Sequence, residues 1–234
     1  MKRIVLAVIL LSLSITALSA QEILTAERYL AQVGERYQAM KDYTAQVTIV
    51  SGQATMHARS LYKAPSLMRL DFSVPEGQII VFNGDTLTVY LPEYRAVMSQ
   101  TVNTDSSSGG ASLASASGLS ILRRNYAASY RTSPAPVPLN DPAEGEAVPE
   151  NAEMVVKLVL SRRSLSEGFR EIQLAINPET FLIRRIEGLT IANEQVSFDF
   201  VDIKPDQGIA DALFTYESQP SANFYDNFLY RDSD

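Results

Sequence analysis

The groups that could do chemistry in this chain are few. Its 234 residues include one histidine, His57, and neither cysteine nor tryptophan. A single histidine excludes a multi-histidine metal site, and a Ser–His–Asp triad could form only through His57. That residue sits in Met56-His57-Ala58-Arg59, a strand-like stretch. No Gly-x-Ser-x-Gly elbow is present to supply its nucleophile, so an ordinary strand histidine is the simpler reading. The absence of cysteine removes disulfides, thiol catalysis, cysteine zinc sites, iron–sulfur clusters and a lipid-modified N-terminal cysteine. The 27 acidic residues permit many carboxylate pairings of the glycosidase kind, but context sets none of them apart. Phosphate-loop and dinucleotide glycine patterns are missing. The chain reads as a binding protein, not an enzyme, and no cofactor or metal is expected.

Three arginine pairs remain: Arg123-Arg124, Arg162-Arg163 and Arg184-Arg185. Adjacent residues of a strand point to opposite faces, so a pair within a strand puts one charge on each side of the sheet. Rim and edge charge is the plainer interpretation. The sharper one is that a member of a pair meets an anionic headgroup or an acidic partner.

The elements that must position these groups begin with an export signal. Lys2 and Arg3 precede an apolar run from Ile4 to Leu18, then small residues, then Gln21-Glu22. This is the pattern of a secretory signal over residues 1–20, cleaved after Ser19 or Ala20. The run is shorter than the ~20 residues of a membrane-spanning helix. The expected compartment is the periplasm. Losing Lys2 and Arg3 moves the formal charge from −7 to −9, which argues against a nucleic-acid partner. At 46% hydrophobic and 20% charged the chain has the composition of a globular protein, and residues 21–234 read as a single domain.

From Glu22 to Lys41, Ile23, Leu30, Val33, Tyr37 and Met40 recur at helical spacing, with Thr25 as a candidate N-cap. The period then changes to two: Tyr43, Ala45, Val47 and Ile49 alternate with polar residues. Further strand-like runs are Ala54–Lys63, Leu67–Ser73, Gln78–Phe82, Thr86–Leu91, Tyr94–Gln100, Met154–Ser161, Phe169–Asn177, Phe181–Thr190 and Glu194–Ile203. Asn83-Gly84 marks a hairpin, and Asn177-Pro178-Glu179 a second turn. About ten strands without strand–helix alternation predict one large antiparallel sheet with a long N-terminal helix.

Two segments interrupt the strands. Residues 101–130 form an insert whose first part is rich in Ser, Gly and Ala and reads as a flexible tether. It leads into Gly118–Tyr130, where Leu119, Leu122, Tyr126 and Tyr130 fall on one helical face. Residues 133–153 hold five prolines and five acids with no base, and read as a solvated loop. The informative excess lies in Gln78-Ile79-Ile80-Val81-Phe82, apolar on both alternating faces, as covered strands are. A sheet with one long helix and a second on a tether points to a concave apolar face beneath a movable cover.

The stretch Ser60 to Pro92 resembles the LolA-type family of outer-membrane lipoprotein carriers. The likeness rests on Lys63-Ala64-Pro65 closing one strand, Pro75 closing the next, then Asn83-Gly84 and Tyr90-Leu91-Pro92. Phe214-Thr215-Tyr216 with Pro220 resembles the family's closing aromatic element. The resemblance implies an incomplete β-barrel whose concave face, closed by helices, accepts lipoprotein acyl chains and carries them across the periplasm. It implies an inner-membrane lipoprotein-release transporter and an outer-membrane acceptor as partners of a monomeric carrier. The cavity positions it implies are Met68, Leu70, Phe72, Ile80, Phe82, Leu87, Val89 and Leu91; the lid positions are Leu119, Leu122 and Tyr126. Strand parity relative to the cavity is left open by the sequence. The family's lid-locking arginine falls at Ala64, a departure from the family's pattern, and Lys63, which matches its preceding basic residue, points to the other face. The alternative within the same fold is an RseB-like periplasmic sensor that binds a regulatory protein.

Overall fold

Thr25 starts the first helix, α1 (Ala26–Ala39), by accepting a hydrogen bond from the Arg28 N–H through its hydroxyl. An N-cap of this kind satisfies one of the orphan amides of the first turn. Tyr29, Leu30, Val33 and Tyr37 form the buried stripe of α1. The computed structural model describes residues 24–101, 114–217 and 222–227. Residues 1–20, read above as an export signal, and most of the Ser/Gly-rich stretch lie outside them.

The strands are β1 (Asp42–Ser51), β2 (Ala54–Lys63), β3 (Leu67–Val74), β4 (Ile79–Phe82), β5 (Thr86–Leu91), β6 (Ala96–Thr101), β7 (Tyr126–Tyr130), β8 (Val137–Pro138), β9 (Met154–Arg162), β10 (Phe169–Ile176), β11 (Ile183–Thr190), β12 (Gln195–Pro205) and β13 (Asn223–Asp226). They make one sheet in the order β13-β6-β5-β4-β3-β2-β1-β12-β11-β10-β9-β7, with β8 beside β9. The pairs are antiparallel except β13–β6. Among the described residues the two end strands do not pair with each other, so the sheet is an incomplete barrel. A second helix, α2 (Ala116–Asn125), packs against α1 on the concave side.

The core lies between that concave side and the helices. Tyr43, Ala45, Val47 and Ile49 of β1 meet Val156, Leu158 and Leu160 of β9, Ile172 and Leu174 of β10, and the buried faces of both helices. The opposite face of β2 and β3 is sealed by the chain's own segment 206–217. There Ile209 and Phe214 pack on Leu61 and Leu67. The buried Asp42 carboxylate accepts the N–H groups of Gln207 (2.6 Å), Gly208 (3.0 Å) and Ile209 (3.1 Å), which fixes where that segment turns.

Three departures from the sequence reading have clear causes. The helix expected over 118–130 ends at Asn125, and Tyr126–Tyr130 becomes β7. Tyr126, Ala128 and Tyr130 also alternate at period two, and the open edge of β9 rewards that reading with ladder bonds. Arg184 and Arg185 do not take opposite faces. The β10–β11 register slips between Ala175 and Ile176, and across this bulge both guanidiniums reach Asp199, at 3.0 and 2.8 Å. The 133–153 loop is not wholly solvated. Leu139 is buried against Val155 and Ala175, and Asp141 takes Lys157 and Arg131, each at 2.8 Å. Those cations hold the Asp141 carboxyl below the usual carboxylate range, the Lys157 hydrogen bond being the main cause.

Candidate functional site

Register alone sets the face on which each apolar strand residue sits. Tyr62 of β2 lies opposite Tyr43 of β1, whose side chain is in the core, and opposite Met68 of β3. Met68 and Leu70 pair with Phe82 and Ile80 of β4, and these pair with Leu87 and Val89 of β5. Directly opposed residues share a face, and the side-chain period is two. Met68, Leu70, Phe72, Ile80, Phe82, Leu87, Val89 and Leu91 therefore all project from the concave face. Ala96, Met98 and Gln100 of β6 continue it.

The cover over this face is uneven. Phe72 is buried in the main core, and Leu70 and Ile80 pack on its margin. Met68 and Phe82 are also buried. Leu87, Val89, Leu91 and Met98 are only half-buried. The hairpin that places β4 beside β5 is built by Asn83, whose Oδ1 accepts the N–H groups of Asp85 (3.1 Å) and Thr86 (2.8 Å). Gly84 then turns the chain at φ +105°, a conformation natural to glycine.

On the reverse of these strands the chain seals itself. Lys63 donates to the Ile209 carbonyl at 2.7 Å and pairs with Asp211. Arg69 donates to the Leu213 carbonyl at 3.0 Å, and the Tyr90 and Tyr216 rings lie 5.6 Å apart. Lys63 is thus an anchor for the C-terminal segment, on the face away from the helices.

Leu119 and Leu122 of α2 are fully buried in the main core, and Tyr126, just past the helix, is buried beside them. Its hydroxyl donates to the Phe169 carbonyl at 3.2 Å. The fastening of α2 is one that sequence reading did not locate. The Tyr43 hydroxyl donates to the Ala114 carbonyl at 2.8 Å. The Tyr62 hydroxyl donates to the Pro65 carbonyl at 3.0 Å and accepts the Ala116 N–H at 3.5 Å, while Ser117 also donates to Pro65. Burial pushes the Tyr62 phenol up, so it remains a donor at neutral pH. Ala64, in the position of the expected lock, is a small side chain at the core's margin. The signal that was available is chemical: a tyrosine on a buried strand face needs a partner for its hydroxyl.

His57 is exposed, with its Nδ1 3.1 Å from the Thr48 hydroxyl on the neighbouring strand. No group of three or more metal-ligating side chains occurs among the described residues. No described helix is long and apolar enough to cross a membrane.

By sequence, no family model and no curated protein matches this chain. Solved structures do match. The chain is similar to an uncharacterized conserved protein from Thermus thermophilus, 16% identical, with a TM-score of 0.53 and 84% of this chain and 98% of that one covered. It is similar more distantly to a LolA superfamily protein from Nitrosomonas europaea, 15% identical, TM-score 0.40, covering 82% and 98%. Another likeness is to the MucA/MucB complex of Pseudomonas aeruginosa, 14% identical, TM-score 0.47, covering 82% of this chain and 61% of that one. The likeness to the Thermus protein is one of fold.

Proposed function

We propose that the protein is a periplasmic carrier that holds lipoprotein acyl chains on the concave face of β3–β6 and takes them towards the outer membrane. One observation carries this reading. Eight apolar side chains stand on a single face, and Leu87, Val89 and Leu91 at its far side are only half-buried. On the reverse side, Ile209 and Phe214 of the chain's own C-terminal segment pack on Leu61 of β2 and Leu67 of β3. Acyl chains in water need continuous apolar cover, because each buried methylene contributes roughly 0.8 kcal/mol. A half-covered apolar face offers that cover, while α2 and α1 supply its margin. Cargo would come from a release transporter in the inner membrane and pass to an acceptor in the outer membrane. The role is binding and transport, with no catalytic step and no cofactor.

The test is native mass spectrometry of the protein expressed with its signal segment and purified from the periplasm without detergent. A mass increment from an acyl lipid or lipoprotein is expected, lost in Leu87→Glu and Val89→Glu. Protein that stays lipid-free when a lipoprotein is co-expressed, with both variants harmless in the cell, would overturn the proposal.

A further inference from the structure

We propose that Asn83-Gly84 is a self-modifying site, at which the chain converts Asn83 to aspartate and isoaspartate without an enzyme and loosens the β4–β5 hairpin. The reaction needs an asparagine amide carbon, a following main-chain nitrogen that can reach it, and water. The chain has only one Asn-Gly pair, and glycine adds no Cβ to obstruct the approach. Asn83 is exposed at the tip between β4 and β5. Its Oδ1 accepts the Asp85 N–H at 3.1 Å and the Thr86 N–H at 2.8 Å, and its own N–H donates to the Thr86 carbonyl at 3.2 Å. Such an Asx turn folds the side-chain carbonyl back over the main chain that follows. Cγ is thereby held close to the Gly84 nitrogen, which replaces a random encounter by a positioned one. No described residue ties up the Asn83 Nδ2 or the Gly84 N–H.

The atoms balance with water as the only other reactant. The Gly84 nitrogen gives its proton to solvent base and attacks Cγ. A C–N bond forms, a cyclic imide closes, and Nδ2 leaves as ammonia. The negative charge that develops on Oδ1 falls where the Asp85 and Thr86 N–H groups already point. Water then opens the imide. Opening at Cγ gives aspartate; opening at the main-chain carbonyl gives isoaspartate, in which the chain runs through Cβ and Cγ.

Asn177 supplies the contrast within the molecule. Its Oδ1 accepts the N–H groups of Glu179 and Thr180, both at 3.0 Å, in the same arrangement. The next residue is Pro178, whose ring nitrogen carries no proton to lose, so the imide cannot close. One turn can react and its twin cannot. The consequence at Asn83 falls on the concave face. Isoaspartate lengthens the main chain of the loop and takes Oδ1 away from Asp85 and Thr86, next to the Phe82–Leu87 pair that starts the β4–β5 ladder. A Cβ on Gly84 would stand 3.8 Å from Leu67 and 3.9 Å from Ser66. The change therefore also reaches the turn that carries Pro65, to which Ser117 of α2 is bonded. The reaction does not depend on what the face binds; its bearing on acyl binding rests on the function proposed above.

Incubation of the native protein in mildly alkaline buffer, followed by peptide mapping, tests the proposal. Peptides holding Asn83 should show the mass change of NH2 replaced by OH and become substrates for an isoaspartate methyltransferase. Peptides holding Asn177 should do neither, and Asn83→Gln should abolish the signal. The isoaspartate form should exchange amide hydrogens about tenfold faster over residues 79–91, with β9 and β10 unchanged, from the loss of two turn hydrogen bonds. These readouts use no lipid, so they succeed or fail separately from acyl binding. Asn83 that keeps its amide in the native protein, whether or not it loses it in urea, would overturn the proposal. So would conversion of Asn177 at an equal rate, or exchange over 79–91 that does not change.

Discussion

The two halves of the sheet use the same kind of side chain for different ends. Under α1 and α2, the strands β1 and β9–β11 bury their concave apolar residues: Leu158, Leu160 and Ile176 are all at 0% exposure. In β4–β6 the same face carries Ile80, Leu87, Val89, Leu91 and Met98, all only half-buried. On the reverse, residues 206–217 pack on β2 and β3 through Leu61 and Leu67, and the Tyr216 ring lies against Tyr90 of β5. One half is a finished core, and the other turns its open apolar face inward.

Substitutions should separate the halves sharply. Leu158→Ala, in the finished half, is expected to cost about 2–5 kcal/mol, read from urea unfolding. A cost under 1 kcal/mol there would break the distinction. Next comes the fastening between them. Tyr62→Phe removes the hydroxyl that holds Pro65 and Ala116, which should cost about 1–2 kcal/mol. Hydrogen exchange should then quicken in residues 116–125 before it does in β9 and β10. Uniform quickening would show that α2 is part of the core and not a separable cover.

The same fastening gives an alkaline signature. Burial raises the Tyr62 phenol, and burial together with Tyr130 pushes Tyr29 up to about 12. Their unfolded value is near 10. Groups raised on folding contribute stability that is full below pH 10 and is lost as pH climbs through the raised values. Thermal unfolding should therefore soften between about pH 10 and 12, and less so in Tyr62→Phe. The smallest expected effect is in the open half: Val89→Ala should cost less than about 1 kcal/mol in stability, while acyl-probe binding weakens measurably.

The contrast was only partly legible in the sequence. Period-two alternation located nearly every long strand, and the limits of β2 and β5 agree to the residue. Alternation along one strand cannot say which face is inward, because parity is fixed by pairing with neighbours. Once β1 anchors Tyr43 in the core, registers propagate that choice across five strands to Leu91. Tyr126–Tyr130 satisfied both a helical and a strand period, and pairing with β9 decided it. Arg184 and Arg185 could not be placed without the bulge that brings both to Asp199. The bonds that tie the Tyr43 and Tyr62 hydroxyls to Ala114 and Ala116 span more than fifty residues of chain, and no local pattern announces them.

The central claim is that acyl chains occupy the concave face of β3–β6. A fatty acid carrying a terminal photoreactive group, bound to the purified protein and irradiated, tests this most directly by peptide mapping of the adducts. The account predicts adducts on β3, β4 and β5, centred on Leu70, Ile80, Leu87 and Val89. Saturable labelling confined to β9–β12 or to the 163–168 turn, with β3–β5 unlabelled, would contradict it.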